Sequence, residues 1–287
     1  MSTYLSLRVR QLFGGRSNLR CLFNVWDRHV ASLLAMTALV FFLPFTLLYA
    51  EDPLTENQAR FGELKGTVEV LSQGASKWIE AHKELPLETG DQVRVGDDGE
   101  ADISVSQHAL WALQPNSHII VGHTESNSGR ITLTSGDLLG KVDAPAEIPQ
   151  AWEFETPTAV CAVRGTEFAL HYAEAEGTHL GVVKGTMDMR PAETATQTFE
   201  PVSVRVNEEG VALRGKPLQR LPHFSPVMEK HLPQFVEVRR RAQRNRHEWS
   251  PHTVGFRQEL RRKFVAPVKP APKVNRPPRL LRRRPPH

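Results

Sequence analysis

Two cysteines, Cys21 and Cys161, are all that a chain of 287 residues carries, which excludes a disulfide scaffold. The close C-x2-C and H-x3-H pairs of metal sites are missing; His118 and His123 have four residues between them across a strand end. No G-x-S-x-G, phosphate-binding loop or dinucleotide-binding glycine pattern appears at a strand–helix junction. Long 3.6-residue periodicity is absent from residues 62–210, which excludes a βαβ enzyme fold there. Carboxylates are numerous but scattered over polar strand faces, so no glycosidase pair stands out.

What is present is uneven. The formal charge of +4 is a cancellation. Residues 1–50 carry five arginines against one aspartate, residues 51–210 a net −16, and residues 211–287 a net +16. With 40% hydrophobic and 24% charged residues, the chain is long enough for one or two globular domains, and three regions have different surroundings.

From Val30 to Ala50 no residue is charged. At about 1.5 Å per residue such a run spans roughly 30 Å, the thickness of a hydrocarbon core. Arg8, Arg10, Arg16, Arg20 and Arg28 precede it, and Glu51, Asp52 and Glu56 follow. The positive-inside rule places the N-terminus in the cytoplasm and the rest outside. Leu48-Tyr49-Ala50 and Pro44 suit a cleaved signal, whereas the long Arg-rich lead suits an uncleaved anchor; both readings stand. Cys161 is then alone on the far side, and the exported domain has to stand on its own core.

Between the glycines of residues 62–210 lie short runs alternating with period two. They include Thr67–Leu71, Gln92–Val95, Ala101–Val105, Ile131–Thr134, Val160–Val163, Glu167–Leu170, Leu180–Val183, Met187–Met189 and Val202–Val206. Turn signals separate them, such as Gly96-Asp97-Asp98-Gly99 and Gln114-Pro115-Asn116-Ser117. Only Gly74–Lys83 suits a short helix or a wide loop. The expectation is all-β: a compact sandwich, barrel or solenoid. The organisation reads as a basic lead (1–29), the apolar segment (30–50), a linker (51–61), the β domain (62–215) and a basic Pro/Arg-rich tail (216–287).

The β region resembles the FecR domain. Leu87-Glu88-Thr89-Gly90-Asp91-Gln92-Val93 is similar to its opening "L…GD.V", Leu113-Gln114-Pro115-Asn116-Ser117 to its "L.P.S" turn, and Leu133–Leu138, with Gly136, to its "L..G.L" step. Thr156-Pro157-Thr158-Ala159-Val160-Cys161-Ala162-Val163-Arg164-Gly165-Thr166-Glu167-Phe168 resembles its "TP.A…VRGT.F" signature, and Val182-Val183-Lys184-Gly185 its closing strand. The resemblance implies a compact β-solenoid or sandwich of many short strands on the periplasmic side of the inner membrane. Its best-understood members pass a signal from an outer-membrane transporter to a sigma factor through a cytoplasmic helical domain. Residues 1–29 are too few for such a domain, so sigma regulation is not expected here. Gly90, Asp91, Pro115, Gly136, Thr156, Pro157, Arg164, Gly165, Thr166, Phe168 and Gly185 read as fold determinants, with Ala159, Val160, Ala162 and Val163 an apolar run that belongs inside. No catalytic, cofactor or metal residue is expected.

Two other classes stay open. Trp78, Trp111 and Trp152 could carry a glycan or peptidoglycan surface, although core packing explains them without a ligand. A hydrolase built on Cys161 needs an exposed thiolate, whereas an apolar strand makes it an inert packing residue.

In the tail, Leu232, Phe235, Val236 and Val238 fall on one short helix ahead of Arg239–Arg241, Arg244 and Arg246. Phe256, Leu260 and Phe264 are spaced four apart on another, and the proline-rich 264–287 is expected to be extended or disordered. Outside the cytoplasm nucleic acid is not expected. The partners that fit are an envelope protein, an anionic envelope polymer or lipid, or an acidic β domain of this kind.

Overall fold

A computed structural model describes residues 59–265 except 126, 146, 148, 149, 164 and 193–198. The apolar segment 30–50, the lead 1–29, Arg164 and most of the proline-rich end lie outside the described residues.

Alternating strands with one apolar face need a second apolar face to bury against, and here that face is another sheet. Both sheets share one long strand, β8 (Ser128–Val142). The sheet built on its second half, the first sheet, runs β1 (Arg60–Lys65), β5 (Glu100–Ser106), β6 (Ala109–Leu113), β8, β11 (Glu167–Ala173), β12 (Gly177–Lys184), β15 (Glu209–Ala212) and β16 (Gln219–Leu221). The second sheet runs β3 (Ile79–Glu80), β2 (Val68–Leu71), β4 (Gln92–Val95), β7 (His118–Thr124), β8, β9 (Ala151–Glu155), β10 (Ala159–Val163), β13 (Thr186–Pro191) and β14 (Val202–Arg205). Among the described strands only β8 and β9 pair in parallel. The all-β expectation stands, but the sheet is not a closed solenoid: a solenoid stacks parallel coils, whereas these strands pair as antiparallel neighbours.

β8 changes sheets at Gly136, whose φ of +90° is open to glycine and costly for other residues. A Cβ there would lie 2.6 Å from Ser117. The two inner faces meet in one core, with Trp111, Trp152, Phe154 and Phe168 edge-to-face at its centre. Gly140 lies beneath Phe168, where a Cβ would come within 2.2 Å of the ring.

The tryptophans take the packing role. Trp111 and Trp152 are wholly buried, so neither offers a glycan platform, and Trp78 is half-buried under the Arg94 guanidinium. Ala162 is the one exposed residue of β10, while Ala159, Val160 and Val163 are buried as expected. β6, Ala-Leu-Trp-Ala-Leu, escapes any period-two test because it is buried on both faces.

The second cover of β6 comes from residues 226–264. They form α1 (Pro226–Glu229), a 3-10 turn (Leu232–Gln234), α2 (Phe235–Glu248) and α3 (Val254–Phe264). Thr253 caps α3 by accepting from the Phe256 N–H, and Arg261, Arg262 and Lys263 in its last turn suit the helix dipole. Met228, Phe235, Val238 and Ala242 pack on Leu110, Ala112, Leu139 and Ala169, a second core outside the first sheet. Burial stabilises by about 1.5–3 kcal/mol for each large side chain, so these residues anchor the helices.

Candidate functional site: the helix-covered face of the first sheet

Along β5, Ala101, Ile103 and Val105 point into the main core, which turns Asp102, Ser104 and Ser106 to the other face. Along β11 the same alternation turns out Glu167, Ala169 and His171. Polar groups on a covered face need partners, and the helices bring them. Arg241 Nη1 lies 3.0 Å from Asp102, Arg239 Nε donates to Glu167 at 2.8 Å, and Arg244 Nη2 lies 3.0 Å from Glu63. Arg246 pairs with Asp143, and Asn245 donates to the Ser106 carbonyl at 2.8 Å.

Of the phenylalanine stripe of α3 only Phe264 packs inward, on the main core and His82; Phe256 is exposed, and Arg257 is buried in its place. Arg257 donates to the carbonyls of Ala59 and Leu87, and Arg261 to Pro86 O and to the buried Asp91 at 2.7 Å. The carbonyls of Ala59, Pro86 and Leu87 explain this choice, since guanidinium groups can donate to them and phenyl rings cannot.

A row of acids and histidines crosses four neighbouring strands. Asp137 on β8 faces His171 on β11 at 2.6 Å, His171 faces His179 on β12 with ring centres 6.0 Å apart, and His179 meets Glu209 on β15 at 2.6 Å. From the helical side, His231 reaches Asp137 at 3.0 Å and Lys230 at 3.2 Å, while Ser225 donates to Glu209 through both its N–H and its hydroxyl. Glu176 closes on the second nitrogen of His171 at 3.0 Å.

Burial alone would raise the Asp137 pKa, but hydrogen bonds from His171 and His231 outweigh it and hold the carboxyl well below the usual range. His171 is raised in turn, chiefly by its bond to Asp137. Glu209 is lowered because His179 and Ser225 overcome its burial. Asp102 goes the other way: burial pushes it up to about 7 despite the nearby arginine. The pair is close but misaligned, and Asp102 Oδ1 and Arg241 Nε have no hydrogen-bond partner.

The motif residues stitch this frame together. Asp91, buried, accepts from the N–H groups of Gln73 and Glu88, and Gly90 donates to Val121 O. The turn containing Pro115 locks to the step after Gly136, where Ser117 Oγ donates to Asp137 O and accepts from its N–H. Thr156 Oγ1 binds the Ala159 carbonyl across the exposed Pro157, and Phe168 fills the core centre. Gly165 and Gly185 sit back to back beside the buried Thr166. The sequence held these residues as fold determinants; it contained no sign that they shape a face for the helices.

Cys161 is wholly buried and burial pushes its thiol up to about 12, which leaves no thiolate at neutral pH. The histidines are engaged separately: His118 against Trp78 and Thr134, His123 with Glu125, His82 against Phe264, and His108 beside Gln107. On the second sheet an open groove of about 750 Å³ runs past His123, Arg130, Gln150, Glu153, Thr186 and Asp188.

Residues 91–188 match the model of the family described as FecR protein. Two solved structures from Parabacteroides distasonis, each described as a "putative anti-sigma factor", are similar at 14% identity. One has a TM-score of 0.38 over 46% of this chain and 59% of that one, the other 0.40 over 49% and 63%. The chain thus spans about six tenths of their length. The comparison with curated proteins gave no match.

Proposed function

The chain carries a FecR domain over residues 91–188, and from that premise we propose a non-enzymatic cell-envelope protein that binds, scaffolds or senses in the periplasm. The observation that carries this reading is the FecR match downstream of a charge-free run with five arginines before it and acids after it. Residues 30–50 hold it at the inner membrane or export it. The buried Cys161 thiol speaks against a nucleophilic enzyme.

The partner is an envelope protein or an anionic polymer or lipid. The basic groups suited to it lie past the helices: Lys269, Lys273, Arg276, Arg279 and Arg282–Arg284, with no acid among residues 266–287. Fractionation of native cells with crosslinking tests the reading. Recovery in the membrane or periplasmic fraction is expected, and a soluble cytosolic protein overturns it. Binding to vesicles containing anionic lipid should fall steeply between 0.05 and roughly 0.5 M salt, and deletion of 266–287 should abolish it. A glycan is the second reading, favoured by the polar side chains of His123, Arg130, Gln150 and Glu153 in the otherwise mostly apolar groove on the second sheet; co-sedimentation with purified peptidoglycan, insensitive to that deletion, would support it.

A further inference from the structure

Where strand ends of the first sheet meet the last turn of α2, an open pocket of about 560 Å³ lies beside the signature turn. Lys141 and Asp143 at the end of β8, Thr166 and Glu167 at the start of β11, Lys184 at the end of β12 and Arg246 on α2 line it. Its acceptors are already taken. Asp143 meets Lys141 through Oδ1 at 2.8 Å and Arg246 through Oδ2. Glu167 meets Lys141 through Oε1 at 3.3 Å and Arg239 through Oε2 at 2.8 Å. Each of the four carboxylate oxygens therefore faces a cation.

The donors are in surplus. Lys184 is exposed and has no ion-pair partner among the described residues. Lys141 keeps one ammonium N–H beyond its two pairs, and Arg246, about half exposed, keeps most of its guanidinium fork. Two more polar groups lie shut in the lining with no partner, the Thr166 hydroxyl and His108 Nδ1. The Gln107 amide donates to His108 Nε2 at 3.0 Å, so the neutral ring carries its proton on Nδ1. Burial and the Arg246 guanidinium lower the pKa of that ring and keep it neutral.

We infer that this pocket binds the phosphate group of a small phosphorylated molecule, with Lys184 and Arg246 as its charged contacts. A surplus of donors suits a guest rich in acceptors, and three lining cations against two carboxylates already paired suit an anion. The donors approach from three sides, β8, β12 and α2, which matches the three free oxygens of a phosphate ester better than the two coplanar oxygens of a carboxylate. The volume is that of a small-molecule site and far exceeds a bare ion, so the phosphate comes on a larger polar body. A soluble ester and a lipid headgroup share this chemistry. The site belongs to the FecR domain and α2, and it depends neither on residues 266–287 nor on the envelope reading.

Hydrogen–deuterium exchange of the full chain in neutral detergent micelles tests the site, with glycerol 3-phosphate replacing chloride at fixed ionic strength. Peptides covering 141–145 and 165–167 should gain protection as the ester is added, while those covering 68–71 on the second sheet hold theirs. K184E should raise the half-saturating concentration about tenfold. K216E, the same reversal at an exposed lysine outside the pocket, should leave it unchanged, as should deletion of 266–287. Should K184E not fold, K184Q removes the charge alone and should raise it about threefold. Protection by glycerol 3-phosphate assigns a soluble ester. Protection only by phosphatidylglycerol doped into the micelles, lost in K184E, assigns a lipid headgroup. The inference is overturned if neither compound protects these peptides, or if the lysine variant that folds binds as tightly as the wild type.

Discussion

Asp91 shows how much one buried carboxylate can organise. It accepts from two backbone N–H groups and from Arg261. Asp91→Ala should cost about 3 kcal/mol in urea unfolding, because each orphaned donor costs about 1–3 kcal/mol; Asp91→Asn, which keeps one carbonyl acceptor, should cost less. The sequence marked this aspartate through the Gly-Asp turn, but its third partner lies 170 residues away and leaves no local signal. Cys161 was legible from its apolar neighbours. In a C21S background a thiol reagent at pH 8 should leave Cys161 unmodified until denaturant is added; rapid labelling of the folded protein would contradict its burial.

Among the elements, α2 separates anchoring from placement. Phe235 is fully buried against the first sheet, whereas Arg239 remains about half exposed while bonded to Glu167. Phe235→Ala should cost about 3–5 kcal/mol, and Arg239→Ala about 0–1 kcal/mol because solvent screens a rim pair; paired denaturation curves measure both. The helices were readable from their spacing, but the inward face of α3 only in part: Phe264 packs on the main core, whereas Phe256 is exposed and the carbonyls of Ala59 and Leu87 take Arg257 instead. β5 and β11 were readable from alternation, and β10 from its place as an apolar run inside the family signature. β6 was not, since a strand covered on both sides has no polar phase.

For the whole molecule, part of the opposed charge meets across the first sheet: among the described residues Lys230, Arg239, Arg241, Arg244, Arg246 and Arg261 pair with acids of the β domain. Folding stability should decline below about pH 4 as depressed carboxylates such as Asp137 are forced to take protons. Asp137→Asn should lower stability at pH 6, and the gap from wild type should narrow as pH falls through that range; a gap constant with pH would refute the role given to its histidine partners. By itself the sequence determined the strand-rich class, the FecR signature, the buried thiol and the existence of basic helices, because each is written in local alternation, spacing or composition. Only the tertiary structure decided that the helices cover the first sheet, since ion pairs between residues 63–167 and 230–261 follow from which strand faces turn outward. A charge total says that opposite charges are present. The alternation of β5, β8 and β11, combined with the core on their other side, is what brings them together.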